Sequence, residues 1–239
     1  MTENAANLID DAVFRPVRTG NSFEETVARL LQTIRLGIVA PGEALPAERD
    51  LAVRLSVSRD TVRDAIHELS QAGYLHSKRG RYGGTFVAEV LPYVPATGAP
   101  MVAAEIEDVL GLREILELGA ARAAAAKTLT AGERDTLFKR MHETAGSDAA
   151  DYRRLDSRLH LTIGELVGTP SLVPLLVDNR TRVNALLDTI PLLAPNIEHS
   201  NEQHRAIVMA ILAGDPDAAA AATAEHLAGS AALLRGFLA

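Results

Sequence analysis

The sequence predicts a mainly α protein in two parts, an N-terminal winged helix-turn-helix of three helices and a β-hairpin wing, then an all-α antiparallel helical bundle. Three observations carry this. Two amphipathic helical stretches are joined only by "SVS" at 56–58, a glycine-rich basic stretch of β-prone residues follows them, and from Glu105 onward every periodic segment repeats at helical spacing. The chain has 239 residues, 47% of them hydrophobic, enough for more than one core. The expected division is a tail at 1–21, the winged helix-turn-helix at 22–90, a linker at 91–104 and the helical domain at 105–239.

The first helix is expected over 22–37, where Val27, Leu30, Leu31 and Ile34 share a face and Gly37 ends it. A turn at Pro41-Gly42 leads to a short helix after Pro46, with Leu51, Ala52 and Leu55 inward and Arg49 and Arg54 outward. The third runs from Ser58 to about Ala72 on a stripe of Val62, Ala65, Ile66 and Leu69, closed by Gly73. "YLHSKRGRYGGTFVAEV" then reads as two short strands around a basic turn. "LPYVPATGAPMVAAE" is a linker by its Pro, Ala and Gly content. Beyond it, helices are expected at about 105–126, 130–144, 148–167, 171–190, 196–213 and 216–237, separated by signals such as "TLTAG", "VGTP", "IPLLAP" and "AGDPD".

The net charge is −7, yet residues 14–90 carry about +2 and residues 91–239 about −6. The basic part suits nucleic acid. A recognition helix enters the major groove by its N-terminal end, where Arg59 and Arg63 can donate paired hydrogen bonds to guanine. Thr61 and Arg49 suit phosphates, and Arg79, Gly80, Arg81 and Gly83 of the wing suit a minor groove or phosphates. The chain has no cysteine, which excludes disulfides and thiolate metal sites. No stretch reaches the ~18 apolar residues of a membrane span and no leader pattern opens the chain, so a cytoplasmic protein with no membrane partner is expected.

"LDSRLH" at 155–160 places Asp156 and His160 one helical turn apart. His204 lies ten residues before Gly214 and His226 ten after Pro216, so an antiparallel pair brings both to one height, about 15 Å from the turn. One carboxylate and three imidazoles from three helices can then meet at one interior point and hold a divalent ion: zinc first, with nickel or manganese also fitting. The spacing alone equally allows three unconnected histidines. His67, His76, His142 and His199 read as ordinary residues.

"LPAERDLAVRLSVSRDTVRDAIHELSQAGYLHSKRGRYGGTFV" resembles the winged helix-turn-helix of GntR-family bacterial transcription regulators, over about 70 residues. "LDSRLHLTIGELVGTP" and "NEQHRAIVMAILAGDPDAAAAATAEHL" resemble the metal-binding segments of the FCD domain, the ligand-sensing domain of the FadR subgroup. The resemblance implies DNA contacts by Arg49, Arg59 and Arg63 and a metal on Asp156, His160, His204 and His226. It also implies a small carboxylic acid effector that the metal and Arg113 hold together. The expected function is a homodimeric regulator, a repressor more often than an activator in this family, on palindromic operator DNA and with no enzymatic activity. Two alternatives stand beside it. One is a metal-dependent hydrolase with a DNA-binding head, for which Glu202 and Glu225 are poorly placed as bases; the other is a metal-free regulator sensing an acyl-thioester. Gln203, Leu159 and Thr169 replace the family's usual glutamate, phenylalanine and asparagine, which alters the surroundings of the ligands and none of the ligands themselves.

Overall fold

The computed structural model describes residues 5–17, 22–80, 83–92, 103–190, 192 and 194–238. Its contacts divide the chain into two compact units, Ile9–Val94 and Pro95–Ala239 with Met1–Leu8.

The first unit is built on α2 (Ser22–Arg35), α3 (Glu48–Leu55) and α4 (Arg59–Gln71), followed by strands β1 (Leu75–Lys78) and β2 (Gly84–Val87). Each helix buries the stripe its periodicity marks: Leu30 and Ile34, Leu51 and Leu55, and Val62, Ala65, Ile66 and Leu69. The turn between α3 and α4 is closed by Ser56 in the left-handed region (φ 55°) and by Ser58, whose side chain accepts from the Thr61 amide at 3.0 Å. β1 and β2 pair antiparallel from Leu75↔Val87 to Lys78↔Gly84. A third rung escaped the sequence reading: Gly42 and Leu45 donate to the Val87 and Thr85 carbonyls, and the Val87 amide donates to the Glu43 carbonyl. The turn at Pro41-Gly42 therefore feeds a segment that backs the wing.

The tail expected at 1–21 needs correction. Residues Ala5–Val13 form a helix, α1, and Ile9, Ala12, Val13 and Phe14 are buried. Phe14 joins the core of the first unit, and the Val17 amide donates to the Leu55 carbonyl at 3.0 Å. Arg54, expected to face outward, is half-buried, with its guanidinium 5.7 Å from the Phe14 ring centre and 3.9 Å from Asp10.

In the second unit the six expected helices are α5 (Ala103–Ala125), α6 (Ala131–Ala145), α7 (Tyr152–Val167), α8 (Leu172–Leu187), α9 (Ala194–Ala213) and α10 (Pro216–Leu238). Local chemistry sets their ends. Thr130 and Glu133 make a reciprocal capping box at α6. Asp148 accepts from the Ala150 and Asp151 amides, which delays α7 to Tyr152 instead of the expected 148. Between α9 and α10, Gly214 adopts φ 72°, Asp215 accepts from the Ala218 amide, and Pro216 takes the first helical position. That tight turn makes α9 and α10 antiparallel. Gly164 of α7 lies against Leu176 of α8 so closely that a Cβ would sit 2.2 Å from Leu176 Cδ1. No helix among the described residues is long and apolar enough to cross a membrane.

Candidate metal centre and nucleic-acid interface

The four predicted ligands converge. Asp156, His160, His204 and His226 are all buried, and each offers one ligand atom within 4.8 Å of the others. Nε2 of His204 lies 3.3 Å from Nε2 of His160, 3.3 Å from Nε2 of His226 and 3.2 Å from Oδ1 of Asp156; the same carboxylate oxygen is 3.6 Å from Nε2 of His160. Atoms bound about 2.1 Å from one ion in tetrahedral or octahedral array stand about 3.0–3.4 Å apart along each edge. The donor set therefore fits a first-row divalent ion.

The opposite ring nitrogens explain the orientation. Nδ1 of His160 lies 2.8 Å from Oε2 of Glu117. Burial would raise the Glu117 pKa, but the Arg113 charge, His160 and Arg180 hold it well below the usual carboxylate range. An ionised carboxylate only accepts, so Nδ1 carries the proton and Nε2 presents its lone pair inward. His226 is fixed the same way, with Nδ1 donating to Oε1 of Gln203 at 3.1 Å. The glutamine at this position thus still orients His226. Burial first, then the His160 imidazole and the Arg180 and Arg113 cations, push the His204 pKa well down, and burial with His204, His160 and Arg113 does so for His226. Both rings are neutral, the form that binds metal.

Two residues here went unread in the sequence. Glu117 shares Oε1 with Arg113 Nε at 3.2 Å and Arg180 Nη1 at 3.5 Å. Arg180, 1% exposed, also pairs through Nη2 with Oδ2 of Asp156, which leaves Oδ1 for the cluster. Burial lowers the Arg180 pKa to about 10, and the guanidinium stays charged at neutral pH. The available signal was helical phase: Arg113 and Glu117 lie on the stripe of Val109, Ala120 and Ala124, where a solvated pair would not be expected.

A cavity of about 220 Å³ adjoins the cluster, lined by Arg113, Asp156 and His226 among others. Arg113 is 2% exposed, with Nη1 donating to Ser230 Oγ at 2.8 Å, so it is no solvated helix residue. His67 is exposed, while His76 stacks on Phe86 and His142 packs edge-on against Phe138. His199 lines the cavity and lies 3.1 Å from Gln203, a position that no spacing in the chain singles out. Glu202 and Glu225 are exposed.

In the other unit, Arg49, Arg59 and Arg63 are exposed, the last two at the start of α4. Arg63 is held by Asp60 at 3.0 Å and Glu48 at 3.4 Å, and Arg49 by Asp50 at 3.4 Å. Thr61 Oγ1 lies 2.8 Å from Ser58 Oγ within the cap. Arg79, Gly80 (φ 108°) and Gly83 are exposed in the wing turn, where a Cβ on Gly83 would meet the Lys78 carbonyl at 2.5 Å. Arg81 lies outside the described residues.

Comparison with known proteins agrees with this division of labour. Residues 23–87 match the gntR family of bacterial regulatory proteins and residues 108–229 the FCD domain. A protein of Escherichia coli (strain K12) named as an L-lactate dehydrogenase operon regulatory protein is 32% identical over 203 residues, covering 78% of this chain and 76% of its own. The HTH-type transcriptional repressor NanR of Cronobacter sakazakii is 29% identical, with 95% and 90% covered. Among solved structures, E. coli McbR/YncC superposes with a TM-score of 0.57 at 19% identity, over 90% of this chain and 98% of its own. The first two relatives are named as a regulator and a repressor, and the third shows the same fold. The chain belongs to the GntR family of bacterial regulatory proteins, in the FadR-like arrangement of a DNA-binding winged helix-turn-helix and an FCD domain, and is a DNA-binding transcription regulator.

Proposed function

We propose that the chain is a metal-dependent, effector-responsive regulator, acting as a repressor and as a homodimer on palindromic operator DNA in the cytoplasm. The observation that carries the metal reading is the convergence of Asp156, His160, His204 and His226 beside a cavity that Arg113 also lines. These four residues would hold a divalent ion, zinc first and nickel or manganese next. When bound, the ion supplies a Lewis-acidic point that attracts a carboxylate oxygen. Glu117, Gln203 and Arg180 hold the ligands in place, and Arg113 offers the effector a buried cation. A small carboxylic acid that binds two conformations of the chain with different affinity shifts the fraction competent for DNA.

On the DNA, Arg59 and Arg63 read bases in the major groove, Arg49 and Thr61 meet phosphates, and Arg79, Gly80, Arg81 and Gly83 serve the wing's contact. Elemental analysis of the purified protein beside a His160→Ala, His204→Ala double variant tests the metal. About one first-row metal per chain, lost in the variant, is expected; none in either, even after adding Zn²⁺, Ni²⁺ or Mn²⁺, would overturn it.

A further inference from the structure

The cavity is layered, and its layers describe a ligand. Asp156 and His204 lie in the layer of the histidine cluster. Tyr152 and Ser200 each stand four residues earlier on α7 and α9, one turn or about 6 Å along the helix. Ser230 stands four residues beyond His226 on antiparallel α10 and is held by Arg113. Arg113, Tyr152, Ser200 and Ser230 therefore form a polar tier from four helices, and all four line the cavity.

Two groups in this tier lack a full complement of partners. Tyr152 is 6% exposed, and its hydroxyl faces Ser200 without a well-formed hydrogen bond. Arg113 spends Nε on Glu117 and Nη1 on Ser230, with no hydrogen bond from Nη2 to any described residue. A buried phenol so weakly partnered costs free energy that a ligand oxygen would recover. The wall beyond is apolar: Ile190, Ile197 and Leu233 line it, and Ile190 and Leu233 are continuous with the packed core of α5, α8 and α10.

We infer that the effector is an amphipathic carboxylate, its head between Arg113, Tyr152 and Ser200 and its aliphatic or aromatic body against Ile190, Ile197 and Leu233. This rests on the carboxylate reading above and narrows it. A dry 150 Å³ cavity receives benzene, so 220 Å³ corresponds to roughly nine non-hydrogen atoms. From His204 to Ile197 is seven residues along α9, about 10 Å. An acid of six to eight carbons fills that length; a three-carbon hydroxy acid leaves the wall bare, and a polyhydroxylated one of equal length sets hydroxyls against it without partners.

The test is calorimetric titration of the full-length, Zn²⁺-loaded protein with two series of fixed head, acetate to hexanoate and lactate to 2-hydroxyhexanoate, beside gluconate. Affinity is expected to rise about fourfold per methylene in both series. Gluconate should bind at least tenfold more weakly than 2-hydroxyhexanoate, which has the same six carbons. Tyr152→Phe should weaken every member by a common factor of about ten and leave the slope intact. Leu233→Ser, or Ile197→Thr should the first not fold, should flatten the slope and spare acetate. A flat series, or gluconate binding as tightly as its deoxygenated counterpart, would overturn the amphipathic ligand while the carboxylate site stands. If no acid binds to protein of full metal content, both readings fall; the wild-type series alone decides.

Discussion

Glu117 ties the buried charges together. It accepts from His160 and balances Arg113 and Arg180, so its loss leaves two guanidinium groups with less compensation in the interior. Glu117→Gln keeps the shape and removes the charge. Zinc affinity, measured by competition with a chelator, should fall about 10–100-fold, the usual cost of losing a partner that orients a metal-binding histidine. Unchanged affinity would make Glu117 a packing residue only. The pH response belongs to the same residues. His204 and His226 are neutral in the folded chain because their pKa lies well below 6.5, whereas the unfolded chain protonates them near that value. Below pH 6.5 the unfolded state therefore binds more protons, and stability falls as pH drops. In chelator-treated protein each histidine should contribute a slope approaching about 1.4 kcal/mol per pH unit, read from urea midpoints between pH 6.5 and 5. Glu117, held low, adds a loss only below about 4.5, as pH falls through its folded value. A flat profile from 7 to 5 would show that the rings are not held neutral. The matched heights of His204 and His226 were legible from the α9–α10 turn, whereas the convergence of His160 with them was implied by the family resemblance and not by spacing. Arg180 and Glu117 were not legible, because they stand 63 positions apart and helix phase converts no such separation into contact.

At the scale of elements, α4 turns three arginine-and-threonine positions into a surface. Its cap and buried stripe fix which residues point away, and both were readable from "SVSRDTVRDAIHEL". Unreadable was the hold of Glu48 on Arg63, since Glu48 comes from α3. Those pairs are exposed and exchange easily for DNA. Arg59→Ala and Arg63→Ala should each cost about 1–3 kcal/mol on the operator and far less on random DNA. Equal losses on both would reassign them to phosphates. Arg79→Ala should instead weaken both alike and reduce the slope of log affinity against log salt by about one. The helix α1 shows the limit of periodicity: Ile9 and Val13 mark barely two turns, too short a pattern to separate from a tail. The backing rung at 42–45 was hidden for a related reason, since a paired segment of four residues with one proline-glycine turn has no alternation to read.

For the whole molecule, the proposed metal would make ion binding and stability one equilibrium. The cluster draws Asp156 and His160 from α7, His204 from α9 and His226 from α10, and its orienting residues from α5, α8 and α9, so an ion that binds the folded arrangement favours it over the unfolded chain. Free metal at a hundred times its dissociation constant should add about 2.7 kcal/mol, and removing it with a chelator should lower the melting temperature by several degrees. The DNA-binding unit has a core of its own, from Phe14 through Val87, and among the described residues that core includes none from the helical domain. A chelator should therefore shift the unfolding of the helical domain and leave the heat-absorption transition of the first unit in place, which differential scanning calorimetry resolves. A single transition moving as one would mean that the two units unfold cooperatively, and a transition that ignores chelator in the wild type would remove the metal from the account of stability. The His204→Ala variant supplies the control: it should melt where chelated wild type melts and show no further response to added zinc.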